Sequence, residues 1–200
     1  MCSSDLWGFY GHRLNLYKST TPHAGFAILK QLGELVQNGL FVITSNVDGH
    51  FQKAGFPDHR VMEIHGSIPF FQCMRPCKEC LWPAGELQVD HLSCSLESEL
   101  PICPWCSGPA RPNILMFDDW LWIPRRLEIQ RNNWHVWKSV NKRTLVIEIG
   151  AGSNIPSIRK ISQNQKTNLI RINPDAHDDS GFATLRIRMG ALQALSEIAE

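Results

Sequence analysis

The chain has 200 residues, 43% hydrophobic and 20% charged, a composition that can bury one domain's core and excludes a disordered chain. Lys+Arg number 20 against 19 Asp+Glu, so the net charge of +1 leaves no electrostatic footprint for nucleic acid or an anionic membrane. No apolar run approaches the roughly 20 residues of a membrane span, and the N-terminus lacks the charged-then-apolar layout of a secretory signal. A soluble, cytoplasmic protein is the expectation.

From Thr21 the chain reads Thr-Pro-His-Ala, then Ile28, Leu29, Leu32, Leu35 and Val36 at helical spacing, with Gly39 past the end. Leu40 to Thr44 follows as a short apolar run predicted to be a strand. The polar stretch Thr44-Ser45-Asn46-Val47-Asp48-Gly49-His50 then falls where an α/β sheet binds its ligand. By spacing alone, Asn46 and Asp48 would serve equally well as caps of a helix starting near His50. Glu63-Ile64-His65-Gly66-Ser67 comes next; a lone histidine such as His65 is ordinarily a hydrogen-bonded structural residue.

Residues 67–109 are rich in Cys and Pro and break the alternating pattern, so they are expected to form a separate small module. Cys73-x3-Cys77 and Cys103-x2-Cys106, with 25 residues between the pairs, have the layout of a structural zinc ribbon. Two knuckles complete a closed tetrahedral site with no open position for catalysis. Cys80 competes with Cys77 as second ligand, and Cys94 is a further spare thiol. Beyond the module, Ile114 to Phe117, Leu145 to Ile149 and Leu169 to Ile172 read as strands buried on both faces of a parallel sheet. Pro124 to Val140 reads as a helix, and Gly190 to Glu200 as a closing helix. The expected fold is therefore α/β, a parallel sheet with an inserted zinc module.

Taken together, these segments resemble one family. TSNVDGHFQKAG is similar to the sirtuin pattern T-Q-N-[ILV]-D-x-L…AG, and EIHGS to its [EV]-x-HG motif. Cys73 stands eight positions after His65, where sirtuins place their first zinc ligand. ARPNILMFDD resembles the RPxVVxFGE segment, LVIEIGAGSNIPSIR the strand and GTS loop, LIRIN the vIxIN strand, and TPHAGFAIL the helix that opens with a family histidine. The resemblance runs from about residue 7 to residue 199 in the family's order, and such a conjunction is far more specific than any one motif.

The resemblance implies a Rossmann-like domain built from residues 7–66 and 110–200, with a zinc module at 67–109. It implies an NAD-dependent protein deacylase that transfers an acyl group from lysine to ADP-ribose and releases nicotinamide. His65 would be the general base, a role that suits an imidazole with an ordinary pKa of about 6.5. Asn46 would help place the ribose and a water, and Asp48 would bind the nicotinamide carboxamide. Ser45 belongs to the same cofactor segment, Gly150 and Ser153 would lie near phosphates and ribose, and Asn173 would face the adenosine. The partner would be an acyl-lysine peptide adding as a strand between the segments after Phe117 and around Gly150.

Four departures from the family accompany this. The opening strand and GAGxS loop have no counterpart, and Met1 to Leu6 does not resemble the family, so a reading frame incomplete at its start is expected. Ser45 replaces a glutamine, Asp118 replaces the glycine of FGE, and GAGS stands for GTS. Two other functions compete: NAD glycohydrolysis or ADP-ribosyl transfer on the same fold, and an inactive zinc-stabilised fragment.

Overall fold

The computed structural model describes residues 3–90, 92–175 and 182–199, with side chains from Leu6 onward. Helix α1 (Ser3–Ser19) leads into α2 (Ala24–Glu34), whose N-cap His23 accepts a hydrogen bond from the Gly25 amide through Nδ1 at 3.1 Å. Strand β1 (Val42–Thr44), the short helix α3 (His50–Lys53) and strand β2 (Val61–Glu63) follow. Strand β3 (Gly66–Cys73) enters a segment holding β4 (Leu81–Pro83), β5 (Val89–Asp90) and β6 (Ser95–Leu96), and β7 (Ala110–Ile114) leaves it. Helix α4 (Arg125–Val140), β8 (Val146–Ile149), α5 (Ser157–Asn164), β9 (Leu169–Ile172), β10 (Leu185–Ile187) and α6 (Ala191–Ala199) complete the chain. No helix among the described residues is long and apolar enough to cross a membrane.

The parallel strands fall into two groups. β1 pairs with β2 in the register Val42↔Val61 to Thr44↔Glu63, and β8, β9 and β10 form a second parallel sheet in the order β10-β9-β8. Among the described residues β1 has β2 as its one ladder partner and β8 has β9, so each presents a free edge. A cavity of about 130 Å³ lies where Phe41 and Ile43 approach Thr144 to Glu148.

Two cores hold these groups. Trp7 and Leu14 of α1 are each 1% exposed and pack on Ile68, Phe71, Leu87, Val89, Ala110 and Ile114. The Trp7 indole N–H also donates to the Ala110 carbonyl at 3.2 Å. The second core buries Ile172, Ala194 and Leu195 against Ile28, Leu29, Ile147 and Ile149, joining α2 and α6 to the parallel sheet.

Two expectations are corrected. Ile114 to Phe117 is no buried parallel strand: β7 ends at Ile114, runs antiparallel to β3, and leaves Leu115 and Phe117 exposed. The real strand carries Arg111 and Asn113, both buried and both anchored by side-chain partners. Arg111 pairs with Asp119, and Asn113 Nδ2 donates to Gln72 Oε1 at 2.8 Å and to the Ile123 carbonyl at 3.0 Å. The closing helix spans Ala191–Ala199, while Glu200 lies outside the described residues.

Gly66 joins β2 to β3 at φ +82°, and a Cβ there would sit 2.1 Å from the Asn113 carbonyl oxygen. Both the left-handed backbone and the backbone-to-backbone approach demand glycine. Gly66→Ala is expected to destabilise the fold by about 3 kcal/mol, read as a lower urea midpoint with unchanged slope.

Candidate active site and metal centre

The parallel β1–β2 pair sets the first cluster. Its last ladder pair is Thr44↔Glu63, and Asn46 and His65 each stand two residues beyond it, at the carboxyl ends of adjacent strands. The Ile64 amide donates to the Thr44 carbonyl at 2.9 Å, and the Asn46 amide donates to Thr44 Oγ1 at 3.0 Å, tying the two segments together. The Leu115 amide donates to the His65 carbonyl at 2.9 Å. The half-buried His65 imidazole hydrogen-bonds to nothing among the described residues, so both ring nitrogens remain open to a substrate.

Asp48 stands one residue ahead of Gly49, the N-cap of α3, and its side chain closes an Asx turn onto the helix start rather than capping it. Its Oδ1 accepts from the His50 amide at 2.9 Å at the start of α3, and its Oδ2 lies 3.8 Å from His50 Nδ1. The residue also lines a cavity of about 220 Å³ with Tyr17, Gly49, Ile68 and Pro69. Ser45 is half-buried beside it and Asn46 is exposed.

The second cluster forms at the end of β8. Gly150 turns at φ +62°, where an added Cβ would meet nothing, and its amide donates to the Ile172 carbonyl at 2.9 Å. The next carbonyl, of Ala151, accepts from Arg159 Nε at 2.9 Å, from Arg159 NH2 at 2.7 Å and from Asn173 Nδ2 at 3.2 Å. Asn173 thus shapes the glycine loop, while its Oδ1 accepts from the Asp175 amide at 3.0 Å. Ser153 is exposed on the loop. Arg159 escaped the sequence reading because its acceptor is a backbone carbonyl, which leaves no mark in residue types.

The four thiols Cys73, Cys77, Cys103 and Cys106 converge, their sulfurs all within 4.8 Å of one another. Sγ atoms of Cys73 and Cys106 are 3.7 Å apart and those of Cys77 and Cys103 are 3.6 Å apart. These separations are far beyond a disulfide bond of about 2.05 Å. They match the edges of about 3.8 Å in a tetrahedron with Zn–S bonds of about 2.3 Å. Cys80 is outside the set. Burial opposes ionisation of Cys103, yet the Trp105 and Cys106 amides and the neighbouring thiols draw it down to about 7. Burial and the bond to Cys103 push Cys77 up to about 12. The donor set, four convergent thiols with no fifth group among the described residues, fits a closed structural zinc.

Asp118, standing where the similar motif has glycine, keeps a left-handed backbone at φ +54°. Aspartate tolerates that region better than most residues. Asp119 anchors the turn: it pairs with Arg111 and accepts from the Leu121 amide at 3.3 Å. Phe117 and Trp120 are left 85% and 92% exposed on its rim.

The Sir2 family model matches residues 3–156, so the likeness begins ahead of Trp7 and takes in Ser3 to Leu6. An NAD-dependent protein deacylase of Mycobacterium tuberculosis (strain ATCC 25618 / H37Rv) is 27% identical over 202 residues, covering 98% of this chain and 77% of the relative. A probable bifunctional ADP-ribose hydrolase/ADP-ribosyltransferase of Fusarium oxysporum f. sp. cubense is 24% identical, covering 89% of this chain and 34% of the relative. The solved structure of Sir2 with a p53 peptide and NAD+ superposes with a TM-score of 0.64 at 22% identity, covering 92% of this chain and 71% of that one, a likeness of fold. A motif-bearing β1–β2 pair, a glycine loop after β8 and a four-thiol cluster, inside a family match that takes in most of the sequence, place this chain in the Sir2 family.

Proposed function

We propose that the chain acts as an NAD-dependent protein-lysine deacylase, moving an acyl group from lysine to ADP-ribose and releasing nicotinamide. The observation that carries this is the pairing of the Asn46–Asp48 segment with His65 at the ends of two adjacent parallel strands. His65 accepts the proton of a ribose hydroxyl once the acyl oxygen has displaced nicotinamide, a task open to an imidazole with no hydrogen-bond partner among the described residues. Asn46 orients the ribose and a water, and Asp48 holds the nicotinamide carboxamide, with Ser45 alongside. Gly150 and Ser153 meet the phosphates and ribose, and Asn173, through its bond to the Ala151 carbonyl, fixes that loop beneath the adenosine side.

Residues 7–66 and 110–200 make up the NAD-binding part in this reading, and 67–109 the zinc module. Cys73, Cys77, Cys103 and Cys106 would hold zinc as a structural ion. The partner is an acyl-lysine protein, its backbone adding as a strand between the segment after Phe117 and Gly150. An intracellular, cytoplasmic setting agrees with a cluster that needs reduced thiols. Nicotinamide release from NAD in the presence and absence of an acetyl-lysine peptide tests this, with mass spectrometry of O-acetyl-ADP-ribose. Release that requires the peptide is expected. Peptide-independent release would favour the second reading, NAD glycohydrolysis or ADP-ribosyl transfer, which the Fusarium relative keeps in view. A zinc-loaded, folded chain that releases none would be an inactive member of the family.

A further inference from the structure

Glu63 is 2% exposed, and its carboxylate is the meeting point of three elements. Oε2 accepts from Arg126 Nε at 3.1 Å, from Arg126 NH2 at 2.9 Å and from Gln130 Nε2 at 3.0 Å, all on α4. The Glu63 amide donates in return to Gln130 Oε1 at 3.0 Å, so main chain and side chain are both fixed to that helix. Arg126 is itself held in place, its guanidinium 4.5 Å from the Phe70 ring centroid. Oε1 has a different partner: it accepts from Ser67 Oγ at 2.7 Å.

Glu63 and Ser67 stand two residues to either side of His65. Their bond closes a loop around the histidine turn, which otherwise contains a left-handed Gly66 and leads into an irregular ladder. The β3–β7 ladder pairs Gly66 with Ile114 and Ser67 with Asn113 and shifts register before Phe71, so the regular pairing breaks immediately after Ser67. The charge of Glu63 is already met by Arg126, and the Ser67 bond is therefore available for a geometric purpose.

We infer that Glu63 and Ser67 are positioning residues for His65, a clasp that holds the imidazole where it takes a proton in the acyl-transfer step; this rests on the reading of His65 as general base. Positioning of this kind governs rate rather than affinity, and small displacements of a catalytic group carry large rate costs.

The two halves of the reaction separate the clasp from a general structural role. Nicotinamide departure breaks the C1′–N bond of NAD as the acyl oxygen bonds to C1′, and its reversal with labelled nicotinamide regenerates NAD and acyl peptide without any base. The second half needs a base to take the hydroxyl proton. Ser67→Ala and Ser67→Thr would be assayed with NAD and an acetyl-lysine peptide, following labelled nicotinamide exchange and O-acetyl-ADP-ribose formation in one sample. Because both readouts share the sample, any unfolded fraction cancels from their ratio. Ser67→Ala is expected to reduce product formation about tenfold relative to exchange, with peptide KM unchanged, and Ser67→Thr, which keeps the hydroxyl, to restore the ratio. An unchanged ratio in an active Ser67→Ala protein would overturn the clasp while leaving the deacylase reading intact. A wild-type protein with neither exchange nor product would overturn the functional reading and the clasp with it.

Discussion

His65→Ala is expected to lower acyl-peptide-dependent product formation by roughly 10²–10⁴-fold, the range a positioned general base supplies. The fold should hardly notice. The imidazole makes no hydrogen bond with the described residues, and the backbone contacts of the turn, the Ile64 amide to Thr44 and the Leu115 amide to the His65 carbonyl, survive truncation. Stability should therefore change by less than about 1 kcal/mol. Labelled nicotinamide exchange should persist, because bond cleavage at C1′ precedes the step that needs the base. Loss of exchange and product together, in a protein that still melts cooperatively, would move His65 from proton acceptor to substrate binding. Unchanged product formation would remove it from the mechanism.

What the sequence disclosed, and what it hid, divides along the range of the interactions involved. Leu169 to Ile172 forms β9 with the expected bounds, and the α4 and α6 helices lie within a residue of their expected limits. In each, local apolar periodicity decides the structure. Asn46 stands at a strand end that the apolar run Leu40 to Thr44 makes readable, whereas the strand ahead of His65, the three residues Val61–Glu63 ending in a buried glutamate, carries no such apolar run. The strand at Ala110–Ile114 was hidden because its burial depends on partners remote in sequence: Asn113 meets Gln72, and Arg111 meets Asp119 beyond the apolar stretch that looked like the strand. Helix α1 has a faint sequence signature although Trp7, Tyr10, Leu14 and Tyr17 share one face, because Phe9 and Leu16 on other faces blur the stripe. Cys77 and Cys80 are not separated by spacing, since Cys77 makes a close pair with Cys73 on one side and with Cys80 on the other; the return of the chain at Cys103 and Cys106 selects Cys77.

That selection leads to the second large effect. One zinc per chain is expected by elemental analysis, lost in Cys103→Ser and in Cys77→Ser but retained in Cys80→Ser. Cys103 is fully buried, and a structural zinc held by such a set contributes on the order of 10–16 kcal/mol to folding, as much as the whole stability of a typical domain. Chelation should therefore unfold the module rather than loosen it. Trp105 lies between two ligands and packs edge-on against Trp82 at 5.4 Å, so its fluorescence reports the event independently of activity. The consequence should reach the histidine turn, because β3 carries Cys73 at one end and Gly66 and Ser67 at the other, and Trp7 of α1 rests on the same sheet. Metal loss is thus expected to abolish deacylation together with the tryptophan signal, both returning when zinc is restored. Retention of zinc by Cys77→Ser with loss in Cys80→Ser would instead make Cys80 the second ligand. A metal-free chain with unaltered tryptophan fluorescence and cooperative melting would show that the four thiols converge for packing alone.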